Sequence, residues 1–228
     1  MAVDVDFLRQ VPLFAELGER ELAEVCRAFI ERSYAKGEVI FAEEETGDYM
    51  YVVRSGRVKV SRWLPSGREL ILAFHPSLDY FGEMSLIDGQ TLPATVTALE
   101  ATTILSLSRQ RFMALIQHAG FALSLLKALC QRCRDAWSQL EVLTHHHAEA
   151  RIRLALRLLC RRDGTQTPEG VRVEMQLTHR DLASLAGVSR ETVTRVLGQL
   201  SEDALIRIED RRLLVLDPER LIEGSALE

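Results

Sequence analysis

The strongest constraint on this chain is a change of texture near Arg109. From Arg32 to Ser108 the sequence is a series of short β-rich runs: EVIFAEE, YMYVVRSG, RVKVSRWL, SGRELILAF, PATVTALEAT and TILSLS. Gly37, Gly47, Gly56, Gly67 and Gly82 sit where the chain must turn. Short strands with frequent turns imply a β-sandwich or barrel, and no βαβ unit is visible. From Arg109 to about His145 the pattern predicts one long helix instead. Within it Leu126, Leu129, Cys133, Ala136, Leu140 and Leu143 recur at spacings of 3, 4, 3, 4 and 3. That heptad period keeps one stripe facing a partner helix, so a parallel homodimer is expected along it. An earlier helical pattern covers Val5–Ala28, where Leu13, Phe14, Leu17, Leu22, Val25 and Phe29 offer an apolar face.

A real core can be buried, since 47% of the 228 residues are apolar and 27% are charged. No apolar run approaches the ~18 residues of a membrane span, and MAVDVDFLRQ lacks the basic start and apolar core of a secretion signal. A cytoplasmic protein without a membrane partner is expected. The net charge of −5 argues only weakly against nucleic acid, because a local basic surface can hold phosphates on an acidic protein.

After the long helix, Glu149–Arg161 continues in helix to a stop near Asp163-Gly164. The polar stretch TQTPEG then reads as a loop before the strand VRVEMQL. Thr178-His179-Arg180-Asp181 has the spacing of a capping box, with Asp in place of the usual Glu. Leu182, Leu185 and Ala186 face inward from the helix it opens. Gly187 supplies a turn and Ser189 caps the next helix, VSRETVTRVLGQL. Val193, Val196, Leu197 and Leu200 share one face of that helix. Arg190, Glu191, Thr194 and Arg195 gather on the opposite face, toward its N-terminal half.

Two helices joined by a glycine turn, with polar groups at the start of the second, make a helix-turn-helix. Arginine matches guanine O6 and N7 with two donors, and glutamate accepts from the cytosine amino group. Downstream, LIRIEDRRLLVLD reads as a two-stranded wing whose tip residues Arg211 and Arg212 can hold backbone phosphate.

Other motifs carry less. Cys130-x-x-Cys133 has a spacing known from metal and redox sites, but no second pair or suitably spaced histidine accompanies it, so a structural role is expected. His145, His146 and His147 would point about 100° apart on a helix and could not converge on one ion, so no metal site is expected. No nucleophile motif or ligand set points to an enzyme.

With these residues in view, the chain resembles the Crp/Fnr superfamily of bacterial transcription regulators along almost its whole length. The resemblance rests on Phe81-Gly82-Glu83-Met84-Ser85-Leu86, on the long helix, and on Ser189-Arg190-Glu191-Thr192-Val193. It implies an α+β fold in three parts. These are a cyclic-nucleotide-binding-like β-roll with its N-terminal helix over 1–108, a dimerisation helix and hinge over 109–147, and a winged helix-turn-helix over 148–228. It also implies that Ser189, Arg190, Glu191, Thr194 and Arg195 read a TGTGA-like half-site repeated as a palindromic operator. RNA polymerase becomes a partner if the protein activates.

The effector pocket departs from the family pattern. Gly82, Glu83, Met84, Ser85, Leu92 and Pro93 occupy its cassette, and Glu83 keeps the ribose-contact position. Leu92 replaces the arginine that holds the cyclic phosphate, and no lysine or arginine lies between Arg68 and Arg109. Ser77-Leu78 stands where a glycine is usual. Ala136-Trp137 aligns with the pair that meets the adenine; the indole fills the base's place, stacks on another flat ligand, or is simply core. A small-molecule effector stays open, with cyclic AMP disfavoured. An iron–sulfur cluster is not expected, because Cys26 is the only N-terminal cysteine. His75, the β-roll histidine that a haem sensor would use, is expected to be a surface or turn residue before Pro76.

Overall fold

The computed structural model describes residues 3–209 and 212–223. The chain divides into two compact units, and the boundary within the long helix falls between Cys133 and Arg134.

The first unit opens with α1 (Val5–Gln10), a 3-10 turn (Pro12–Phe14) and α2 (Glu19–Ala28). The helical pattern over Val5–Ala28 is interrupted here. Pro12 has no amide to donate, and Gly18 starts α2 by donating its amide to Glu21 at 2.7 Å. Eight strands follow: β1 (Ile30–Tyr34), β2 (Val39–Phe41), β3 (Tyr49–Ser55), β4 (Arg57–Trp63), β5 (Glu69–Pro76), β6 (Tyr80–Phe81), β7 (Thr95–Ala98) and β8 (Thr102–Ser108). One short helix, α3 (Glu83–Asp88), interrupts them. The strands form two four-stranded sheets, ordered β1-β8-β3-β6 and β2-β7-β4-β5.

Strand alternation explains how one sheet serves two cores. On β3, Met50 and Val52 join a cluster with Leu8, Phe14, Leu22, Phe112 and Phe121 from the helices. Val53 points the other way, into a cluster with Phe41, Val58, Phe81, Leu92, Val96 and Ile104 inside the roll. On β8, Leu105 and Leu107 take the helical side while Ile104 takes the inner one.

The helix expected over 109–145 is two helices. α4 (Arg109–Ile116) and α5 (Ala119–Thr144) meet at a bend of 103°. Phe112 and Leu115 of α4 and Phe121 and Leu125 of α5 all enter the helical core. Among the described residues, no single helix is long and apolar enough to cross a membrane.

The second unit holds the end of α5, then α6 (Ala148–Asp163), β9 (Gly164–Thr167), β10 (Gly170–Val173), α7 (His179–Ala186), α8 (Arg190–Glu202), β11 (Ile206–Glu209), β12 (Arg212–Val215) and α9 (Arg220–Glu223). Its strands are ordered β11-β12-β10-β9. The polar stretch expected as a loop therefore begins with an edge strand, β9, paired antiparallel with β10. Helix does not run on from α5 into α6 either. His145–His147 lie between the two, with His147 as the N-cap of α6, so the three histidines are loop residues.

Candidate DNA-reading helix and effector pocket

The two helices α7 and α8 are defined by their caps. Thr178 Oγ1 accepts from the Asp181 amide at 3.1 Å, and Asp181 Oδ2 accepts from the Thr178 amide at 3.2 Å, closing the capping box. Gly187 has φ +63, the left-handed conformation that ends α7, and a Cβ there would lie 3.1 Å from Leu143 Cδ2. Ser189 Oγ then accepts the Thr192 amide at 3.2 Å to start α8. Below this turn, Gln139 donates to the Leu185 carbonyl at 2.7 Å and Arg151 donates to the Gly187 carbonyl at 3.3 Å.

α8 buries one line of side chains, with Val193 and Leu200 at 0% exposure and Val196 and Leu197 close behind. The opposite face presents Ser189, Arg190, Glu191, Thr194 and Arg195, all exposed. Glu191 is held below the usual carboxylate range, first by its own backbone amide, then by Ser189, with a contribution from the nearby Arg190 guanidinium. It is an acceptor at neutral pH. Thr194 Oγ1 donates to the Arg190 carbonyl at 3.1 Å and also meets His179 Nδ1 at 2.8 Å. His179 is a residue that helical periodicity did not single out. In the wing, Arg212 is exposed and lies 3.5 Å from Glu174. Arg211, the other expected phosphate contact, lies outside the described residues.

The cassette of the first unit is built around Gly82, whose φ of +84 turns β6 into α3. A Cβ there would meet the Tyr49 carbonyl and the Tyr51 ring, both at 2.9 Å. Glu83 and Ser85 point inward at 0% and 1% exposure, while Met84 and Pro93 are exposed. Leu92 is 3% exposed and belongs to the inner cluster with Phe41, Phe81 and Val96. The position that the resemblance aligns with a phosphate-holding arginine is thus part of an apolar core. Beside it, Tyr51 stacks on Phe81 with ring centroids 5.2 Å apart, and burial pushes the Tyr51 hydroxyl up to about 12.

A guanidinium does reach this region, from α5 rather than from the cassette. Arg132 forms an ion pair with Glu83 Oε1, donates to the Tyr80 carbonyl, and lies 4.7 Å from the Tyr80 ring centroid. Burial disfavours its charge, but Glu83 above all outweighs that and holds the guanidinium protonated. The second carboxyl oxygen of Glu83 and the Tyr80 hydroxyl are buried with no hydrogen-bond partner. Arg109 braces the same loop by donating to the carbonyls of Gly47 at 2.8 Å, Ser85 at 3.1 Å and Leu86 at 3.1 Å.

His75 is not a surface residue. It is 7% exposed on β5, bonded to Asp79 at 2.6 Å, with its ring 5.8 Å from that of Phe81. Asp79 gives it a partner that an isolated turn residue would lack.

Along α5, Leu126 and Leu140 are both 59% exposed, and Cys133 and Ala136 are exposed as well. Leu129 and Leu143 are half-buried, the former against the helical core of its own unit. Trp137 is 68% exposed, so it is not a core residue. Among the described residues, no group of three or more histidine, cysteine or acidic side chains could hold a metal ion.

A β-roll followed by a helix and a winged helix-turn-helix whose second helix exposes Arg190 and Arg195 defines a DNA-binding transcription regulator with a ligand-binding-type domain. Residues 31–119 match the cyclic nucleotide-binding domain family and residues 152–223 match the Crp-like helix-turn-helix domain family. The chain is 36% identical over 198 residues to the cyclic AMP receptor protein of Thermus thermophilus, covering 86% of this chain and 88% of that one. It is 32% identical to the global nitrogen regulator of Synechococcus elongatus, over 90% of this chain and 92% of that one. Among solved structures, FixK2 from Bradyrhizobium japonicum superposes with a TM-score of 0.75 at 26% identity, covering 88% of this chain and 98% of its own. The chain belongs to the Crp/Fnr family of transcription regulators.

Proposed function

We propose that this regulator acts as a cytoplasmic homodimer on a TGTGA-like palindrome, reads it with α8, and binds it without needing cyclic AMP. The observation that carries the DNA reading is the exposed face of α8, where two arginines and an ionised glutamate stand within six positions of a capped N-terminus. Arg190 and Arg195 suit guanine edges and Glu191 suits a cytosine amino group. Arg212 holds phosphate, which positions the protein without specifying sequence. Dimerisation along α5 would place two α8 helices one DNA turn apart, about 34–36 Å. As an activator it would also meet RNA polymerase; no catalytic role is proposed.

The effector reading rests on Leu92 and Arg132. A cyclic phosphate against buried Leu92 would lose its hydration without a paired cation, and the carboxyl that would hold the ribose is engaged by Arg132. A second reading, a cyclic-nucleotide-responsive regulator with a modified pocket, draws on the unpartnered Glu83 oxygen and Tyr80 hydroxyl, which a ligand hydroxyl could satisfy. Titrating a TGTGA palindrome and a scrambled duplex, with and without cyclic AMP, separates the readings. The proposal expects selective binding that the nucleotide changes little. Micromolar nucleotide binding with a large rise in DNA affinity would favour the second.

A further inference from the structure

The exposed apolar side chains of α5 do not follow a single leucine stripe. Leu123, Leu126, Trp137 and Leu140 are 53%, 59%, 68% and 59% exposed, and Cys130 and Cys133 between them are exposed and free. Together they recur at spacings of 3, 4, 3, 4 and 3, an unbroken heptad left outside the protein's own core. Its phase is three residues earlier than the stripe through Leu129 and Leu143, which are half-buried in their own units. Both cysteines therefore lie on the seam, in successive layers. The other two, Cys26 and Cys160, are buried, and burial pushes the Cys160 thiol up to about 11.

We propose that Cys130 and Cys133 form a redox-responsive cross-link between two copies of this chain, each cysteine facing its own counterpart across the seam. The inference rests on the dimer reading above. Two recognition helices that meet one duplex need their α5 helices parallel, and a parallel two-fold seam places identical residues opposite each other.

Geometry then favours a bridge between chains. Packed helix axes lie about 8–10 Å apart and Cα atoms about 2.3 Å from each axis, which leaves inward-facing Cα pairs about 3.4–5.4 Å apart, a range whose upper part meets the disulfide requirement. A disulfide spans Cα separations of about 4.4–6.8 Å. Within one helix, residues three apart hold their Cβ atoms about 5–6 Å from each other, wider than the roughly 3.5–4.5 Å a disulfide allows.

The oxidant is a small disulfide such as oxidised glutathione. One cysteine thiolate attacks it, forms a mixed disulfide and releases a glutathione thiolate. The partner thiolate then attacks the protein sulfur and releases the second. Two protein thiols are oxidised, one disulfide is reduced to two thiols, and the two protons pass to the departing thiolates. The cross-link makes the dimer immune to dilution. Its DNA affinity then no longer falls when protein concentration drops below the dimer dissociation constant.

The test combines sedimentation of the reduced full-length protein with oxidation by glutathione disulfide and a non-reducing gel. The expected result is a reduced dimer that becomes covalent, at a rate independent of protein concentration while it remains dimeric, and that reverts with dithiothreitol. Cys130→Ser and Cys133→Ser should each retain one link, the double variant none, and Cys26→Ser with Cys160→Ser should behave as the parent. A reduced dimer that oxidation leaves uncrosslinked, or a link that survives in the double Cys130→Ser, Cys133→Ser variant, overturns the cysteine assignment. A reduced monomer overturns the dimer reading instead, and the cross-link with it.

Discussion

The candidate DNA-reading face and the candidate effector pocket are assembled in opposite ways. Arg190, Glu191, Thr194 and Arg195 come from two turns of one helix and point into solvent. The pocket depends on Glu83 and Arg132, which are 49 positions apart, with Glu83 fully buried. An exposed local site can change its side chains one at a time with little cost to the fold. A buried site assembled from distant segments cannot, because each polar group needs its partner. Side chains on the exposed face of α8 are therefore separable from stability, whereas the Glu83–Arg132 pair is part of what holds the first unit together.

The largest effect that would break this contrast is expected at Arg132. Arg132→Ala leaves Glu83 buried without its counter-charge, a change that costs about 3 kcal/mol, since part of the guanidinium is already solvated. It also removes the stacking on Tyr80. Urea unfolding followed through the first unit should show the loss, and Arg132→Met combined with Glu83→Gln should recover most of it. A loss under about 0.5 kcal/mol, the size expected of ordinary surface changes, would mean the pair is not structural.

Next in size is the reading face. Arg190→Ala or Arg195→Ala should each cost about 1–3 kcal/mol on the palindrome and relax preference at one base position, with the unfolding midpoint unchanged. Arg212→Ala should weaken all sequences alike and reduce the salt dependence of binding. Equal losses on specific and random duplexes for Arg190→Ala would remove the distinction between base reading and phosphate holding.

The same contrast explains what could be read from the sequence. Caps, turn and the exposed polar face of α8 were legible because each rests on spacings of three or four residues, and Thr178, Gly187 and Ser189 take the capping and turn roles that their chemistry implies. The cassette turn at Gly82 was legible because a glycine between two strand runs marks a turn. Arg132 was not, because nothing local links it to Glu83, and a search for a cation within the cassette stops at Arg109. His75 was misplaced by its neighbour Pro76, although Asp79 four residues on was an available sign of a satisfied interior histidine. The α5 stripe shows a subtler limit. A 3-4 repeat admits two phases that share Leu126, Cys133 and Leu140, and periodicity alone cannot choose between Leu129 and Cys130. Burial distinguishes the two positions, because Leu129 leans on the helical core of its own unit while Cys130 is exposed.

The smallest effect concerns acid sensitivity and tests whether the pocket's neighbours are also tied to stability. Burial is the strongest single influence on Asp79 and opposes its ionisation. The charge and hydrogen bond of His75, then Arg132 and the Tyr80 amide, together outweigh it and hold the carboxyl below its ordinary 3.8. A carboxyl lowered in the folded state stabilises that state above its unfolded value, and the contribution disappears as pH falls through that value and the lower folded one. The stabilisation should thus be complete at neutral pH, begin to fade near pH 5 and be gone once the folded carboxyl is protonated. Asp79→Asn removes this dependence, so parent and variant should differ most at neutral pH and converge in acid. The side chain is 34% exposed, so solvent screening keeps the difference below that at Arg132. Thermal unfolding of both proteins from pH 7 to pH 3 measures it. Parallel curves would show that Asp79 positions His75 without contributing through its charge.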